Sequence, residues 1–144
     1  MNQAEHTPAG DILVVDDTPA NLRLLSGMLA ENGYKVRSAP NGKLALMGAR
    51  AAPPDLILLD INMPGLNGYE VCEQLKADGC TRDIPVIFIS ALDQTEDKIQ
   101  AFTLGGVDYI TKPFQLEEVL ARVETHLALH RLRCQLAAAN AELR

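Results

Sequence analysis

Short apolar runs alternate along this chain with segments whose apolar positions recur every three or four residues. DILVVDD (11–17) is the first strand candidate. Thr18 and Pro19 follow it with a capping hydroxyl and a proline at the first helical position, so a helix is expected from there to Gly33. YKVRSA (34–39) sets Tyr34, Val36 and Ser38 against Lys35 and Arg37, the half-exposed alternation of a charged edge strand. A second helix is predicted from Gly42 to Ala52. DLILLD (55–60) and PVIFIS (85–90) are unbroken aliphatic runs, which suit strands covered on both faces. GYEVCEQLKAD (68–78) between them has helical period. After Ser90, a polar stretch with Asp93, Glu96, Asp97 and Lys98 leads into the helical IQAFTLGG (99–106), which ends on glycine. VDYITKP (107–113) is the fifth strand, and from Phe114 to Arg144 the pattern is helical with neither glycine nor proline inside it.

Five strands alternating with five helices predict an α/β fold, a doubly wound parallel sheet with helices on both faces. The carboxyl ends of parallel strands share one edge, where ligands bind. Here those ends are Asp16 and Asp17, Asp60, Ser90 and Lys112. Crowded carboxylates raise one another's pKa and resist joint ionisation, so positive charge must sit among them. Lys112 supplies one charge. An all-oxygen donor set otherwise suits a hard dication such as magnesium, which keeps waters and phosphate oxygens in its shell. The constellation points to phosphoryl transfer, with an aspartate as the nucleophile.

Composition narrows the class without changing that reading. A chain of 144 residues, 47% hydrophobic and 22% charged, fits one globular domain. A formal charge of -6 argues against direct nucleic-acid binding, which calls for a clustered basic face. No apolar run approaches the ~20 residues of a membrane span, and MNQAEHTPAG lacks the basic start and apolar core of a signal peptide. A soluble, cytoplasmic chain is expected. Cys72, Cys80 and Cys134 show no metal or disulfide spacing and are expected to be reduced thiols. His126 and His130 stand four apart, but with no third zinc ligand near they are read as surface histidines.

Taken together, Asp16-Asp17 after VV, Asp60 within LLDINMPGLNG, Ser90 within FISA and Lys112-Pro113 after DYIT resemble the receiver (REC) domain of two-component response regulators, over about residues 10–128. The resemblance implies a flavodoxin-like strand order of 2-1-3-4-5. It implies that Asp60 accepts a phosphoryl group from a histidine kinase, a phosphotransfer protein or a small donor such as acetyl phosphate. Asp17, Asp60 and the Asn62 backbone carbonyl would hold Mg2+, for which Mn2+ could substitute, with Asp16 reaching it through water. Lys112 and Ser90 would contact the phosphoryl oxygens, and Tyr109 would swing inward as a switch. A cis Lys112-Pro113 bond is also implied. Each residue has a plainer reading on its own: Asp16, Asp17 or Asp60 as a cap, Ser90 as a strand-end hydroxyl, Lys112 as a solvated charge, Tyr109 as packing.

The last helix carries two apolar stripes. Leu116, Val119, Leu120, Val123 and Leu127 form the first; Leu129, Leu132, Leu136, Ala139 and Leu143 form the second. From Leu127 to Leu129 the helix turns by about 200°, so the second stripe points away from the domain. Its spacing suits a coiled coil of about two heptads, although so short a run also fits a frayed tail. The expected division is a flexible segment 1–9, a receiver 10–128 and a helical linker 129–144, leading in a longer natural protein to an output domain. Homodimerisation is expected through the face of helix four, strand five and helix five, or through the last helix, with Cys134 a candidate cross-link. Rival readings are a phosphorylation-independent scaffold, a haloacid-dehalogenase-like phosphatase and a flavin carrier. The phosphatase needs a second acid where Asn62 stands, and the flavin carrier needs a phosphate-binding first loop where VVDDTPAN stands. Leu92, two residues after Ser90, cannot hydrogen-bond a water, which predicts slow self-dephosphorylation.

Overall fold

The computed structural model describes residues 10–142, so the expected flexible segment 1–9 and the stripe residue Leu143 lie outside the described residues. Five strands, β1 (Asp11–Val15), β2 (Lys35–Ala39), β3 (Leu56–Asp60), β4 (Val86–Ser90) and β5 (Asp108–Thr111), alternate with five helices. The helices are α1 (Pro19–Glu31), α2 (Gly42–Ala51), α3 (Gly68–Ala77), α4 (Thr95–Thr103) and α5 (Leu116–Glu142). All strand pairs are parallel and the order is β2-β1-β3-β4-β5, as the resemblance implied.

The two-residue period of the strands divides the core into two layers. Leu13, Val15, Ile57, Leu59, Val86 and Phe88 face α2, α3 and α4, packing with Leu46, Ala49, Val71 and Leu75. Ile12, Val14, Leu56, Leu58, Ile87 and Ile89 face the other way, onto Leu25 and Leu29 of α1 and Val119, Val123 and Leu127 of α5. Every residue of β3 and β4 is buried, which is why these two runs lack polar alternation. Each such Leu or Ile contributes on the order of 1.5–3 kcal/mol by leaving water. The core thereby fixes where each strand ends.

Several boundaries differ from the sequence reading for local reasons. β1 stops at Val15 because the Asp16 carboxylate accepts the Thr18 N–H at 2.9 Å and turns the chain into α1. The Thr18 hydroxyl, expected to cap α1, makes no capping bond. β2 is an edge strand, but Tyr34 precedes it and Ser38 is exposed, so only part of the expected alternation survives. Its Arg37 is half-buried, paired with Asp11 at 3.2 Å and donating to the Ala52 carbonyl at 2.6 Å, which ties the sheet edge to the end of α2. α3 starts on a reciprocal cap: the Asn67 side chain accepts the Glu70 N–H and the Glu70 side chain accepts the Asn67 N–H, both at 2.9 Å.

α5 shows both stripes as expected. Val119, Val123 and Leu127 are at most 2% exposed, whereas Leu129, Leu132 and Leu136 are 41%, 57% and 58% exposed. Cys134 lies on the other side of the helix from these leucines, beside His130 and near Pro85 and Val107. It is therefore badly placed to cross-link two chains through the leucine face. His126 corrects the surface reading: it is 15% exposed, with its ring nitrogen 3.0 Å from an Asp108 oxygen that belongs to β5. Burial pushes the Asp108 carboxyl up, but hydrogen bonds from Arg122 and His126 outweigh it and hold the group below its ordinary range.

The α3 start is welded to the end of β3. A Cβ on Gly68 would stand 2.4 Å from the Asp60 carbonyl oxygen and 2.7 Å from Ile61 Cα, both rigid backbone atoms. Gly68→Ala is expected to cost on the order of 1–3 kcal/mol, read as a lowered urea midpoint with an unchanged m-value.

Candidate functional site

Four of the predicted residues meet at the carboxyl edge of the sheet. Asp16 and Asp17 follow β1, Asp60 ends β3 and Lys112 follows β5. Carboxylate oxygens of Asp16, Asp17 and Asp60 all lie within 4.8 Å of one another. The Lys112 ammonium stands 3.2 Å from Asp16 Oδ2 and 3.4 Å from Asp60 Oδ1. Asp16 and Asp60 are only 2% and 4% exposed, while Asp17 faces solvent. The plain reading of Lys112 as a solvated charge is thus wrong, and Asp16 both shapes the turn into α1 through the Thr18 N–H and belongs to the cluster.

Charge does not balance here. Burial pushes the Asp60 carboxyl up to about 6, the Asp16 charge adds to it, Lys112 works the other way, and Asp17 raises it further. Three carboxylates against one ammonium leave a negative excess in a partly buried site. A hard dication would relieve it, and the donors are all oxygen, so the cluster is suited to hold a metal ion.

The remaining predicted residues surround this cluster. Ser90 ends β4, fully buried, one register position beyond the Asp60↔Ile89 pair. Its hydroxyl accepts the Leu92 N–H at 3.1 Å, and its carbonyl accepts the Lys112 N–H at 2.8 Å. Asn62 is exposed on the loop after β3. Tyr109 is turned inward, 7% exposed, and its hydroxyl donates to the Leu92 carbonyl. The Lys112-Pro113 bond is cis. Two participants were not picked out from sequence. Asn21 on the first turn of α1 donates to Asp16 Oδ2 at 3.3 Å, steadying that carboxylate. The Leu92 acceptor is a backbone atom, for which residue type carries no signal; Asn21, an amide five residues after Asp16, at least had the right reach.

The sequence model of the response regulator receiver domain matches residues 12–124. The chain belongs to that family. As a receiver it is 47% identical over 116 residues to the DNA-binding dual master transcriptional regulator RpaA of Synechocystis sp., covering 81% of this chain and 48% of that protein. It is 47% identical over 114 residues to the response regulator PleD of Caulobacter vibrioides, covering 79% and 25% respectively. The receiver therefore spans about half of the first relative's length and a quarter of the second's. Among solved structures, the chemotaxis protein CheY4 of Vibrio cholerae superposes with a TM-score of 0.77 at 28% identity, over 80% of this chain and 96% of that one. Family membership sets aside the phosphatase and flavin-carrier readings.

The raised Asp60 pKa has a signed consequence for stability. In metal-free buffer the folded state holds the Asp60 proton more tightly than the unfolded chain, whose carboxyl titrates near 3.9. The fold is favoured below about pH 4 and loses that advantage as pH rises toward 6. With EDTA present, Asp60→Asn is expected to stabilise the receiver by roughly 3 kcal/mol at pH 7 and by well under about 1 kcal/mol at pH 4. Urea denaturation at the two pH values checks this; an equal gain at both would assign the effect to something other than ionisation.

Proposed function

We propose that this receiver is a stoichiometric phosphoacceptor in a two-component system and does not turn over substrate as an enzyme does. The observation that carries the reading is the Lys112 ammonium, within 3.4 Å of two buried carboxylates with a third close by, at the ends of three parallel strands. An Asp60 oxygen attacks the phosphorus of a phosphohistidine on a histidine kinase or phosphotransfer protein. The P–N bond breaks, and the imidazole leaves with its electron pair. Acetyl phosphate is the small-molecule equivalent.

Lys112 then offers its protons to the phosphoryl oxygens, and the buried Ser90 hydroxyl, whose oxygen accepts the Leu92 N–H, donates its own proton to one of them. Asp16, Asp17, Asp60 and the Asn62 backbone carbonyl would hold Mg2+, or Mn2+ in its place. A bound dication supplies positive charge for the phosphoryl oxygens and offsets the excess of carboxylates. The switch is a population shift between two packings that alters the face of α4, β5 and α5, in which Tyr109 turned in is the activated arrangement.

Partners and place follow from the surface. Among the described residues no helix is long and apolar enough to cross a membrane. We read the chain as cytoplasmic, where histidine kinases present their phosphohistidine. The charge of -6 supports a protein target for the switched surface, with no direct nucleic-acid contact by this segment. Residues 10–128 are read as the receiver and 129–144 as a linker to an output domain. A second copy is the partner proposed for the exposed leucines of α5 or for the α4–β5–α5 face, where Ile99 and Phe102 are 59% and 49% exposed.

Incubation with acetyl phosphate and Mg2+ is expected to add one phosphoryl mass to the wild type and none to Asp60→Ala. An unlabelled wild type would instead favour a phosphorylation-independent scaffold. After donor removal, Leu92→Glu is expected to shorten the life of the phosphorylated form, because a carboxylate there can orient the attacking water; equal decay rates would count against this role. Leu132→Ser with Leu136→Ser is expected to weaken self-association in sedimentation velocity, whereas an unchanged profile would move the interface to α4–β5–α5 or remove it.

A further inference from the structure

Three aromatic rings form a row beneath the start of α4. The Tyr69 ring, on the first turn of α3, lies 5.8 Å from Phe88 of β4, and Phe88 lies 6.5 Å from Tyr109 of β5. The terminal hydroxyls reach the segment before α4 and its first turn. Tyr109 donates to the Leu92 carbonyl, and Tyr69 donates to the Asp97 carbonyl at 3.2 Å. A carbonyl oxygen has two lone pairs, so Asp97 accepts this bond without giving up its place in the helix.

The anchorage matters because little else holds α4. Ala101 is its one buried residue, while Ile99 and Phe102 stay largely exposed. An element with so few buried contacts belongs to the low-stability part of a fold, where one hydrogen bond sets a large share of the position. The other end of the connection is rigid. Tyr69 follows Gly68, whose N–H donates to the Ile61 carbonyl at 2.8 Å and whose Cα lies against the Asp60 carbonyl.

We infer that Tyr69 is a positioning residue. Its hydroxyl holds the first turn of α4 relative to the Asp60 backbone, a tether through α3 that acts alongside the one through β5 and Tyr109. The coupling half of this inference rests on Asp60 being the phosphoacceptor; the tether itself does not. Both bonds are made in the arrangement with Tyr109 turned in; the coupling is that the Tyr69 bond breaks when α4 shifts to the alternative, so its loss disfavours the turned-in arrangement.

The test uses the whole chain and Tyr69→Phe, which keeps the ring against Phe88 and removes the hydroxyl alone. Amide hydrogen exchange of residues 97–101, the first amides of α4 with backbone acceptors, is expected to accelerate on the order of threefold to tenfold, the equivalent of one ordinary hydrogen bond, with amides of β1 and β3 unchanged. Tyr109→Phe serves as the reference, and the double variant is expected to exceed either single one. Labelling of Asp60 by acetyl phosphate and Mg2+ is expected to slow by a similar factor in Tyr69→Phe. Exchange equal to wild type, or a rise spread evenly over the core, overturns the tether. Looser α4 with an unchanged labelling rate overturns the coupling. A wild type that takes no phosphoryl group refutes the phosphoacceptor reading and the coupling with it, while the exchange result still decides the tether.

Discussion

Two carboxylates buried within hydrogen-bonding distance of one ammonium, with a third acid beside them, form an arrangement that gains nothing for the fold by itself. Asp60 carries the cost, its carboxyl pushed up to about 6 mainly by burial. Lys112 offsets part of it, and the cis-linked Pro113 follows immediately in the chain. What keeps the acids together is the sheet. β1 and β3 are neighbours, β5 sits one strand beyond β4, and fully buried aliphatics leave the strand ends no freedom to spread. The scaffold's stability is spent in one place, as expected of sites that receive charge in place of merely surviving it.

That dependence explains what the sequence revealed. DLILLD and PVIFIS were legible as doubly covered strands because both layers of the core draw on alternate residues of the same run. Asp16, Asp17, Asp60 and Lys112 were legible as one cluster because parallel topology forces strand ends to a common edge. The strand order was not; it came from the resemblance. Thr18 misled because residue type shows only that a capping bond can form: its hydroxyl makes none, and the bond that turns the chain is the one from the Thr18 N–H to the Asp16 carboxylate. His126 misled because its partner Asp108 lies on another element, and helical spacing contains no information about what α5 packs against. Tyr69 offered even less to reading, since its hydroxyl meets a backbone carbonyl.

The two layers divide labour. On the side of α1 and α5 the packing is continuous from Ile12 to Leu127 and holds the sheet rigid. On the opposite side the layer thins toward α4, where a single buried alanine and two tyrosine hydroxyls stand in for a packed stripe. A receiver needs this asymmetry. A rearrangement worth a few kcal/mol can shift a lightly held helix, but cannot repack a close-packed layer.

The unbroken course of α5 from Leu116 to Glu142 has a mechanical corollary. Beyond Leu127, the last buried residue of the core, the helix continues for roughly 22 Å at 1.5 Å per residue. A lever of that length converts a tilt of about 5° at its root into a sideways travel of about 2 Å at its tip. Travel of that size at the tip can arise from root motions too small to alter a single contact inside the domain.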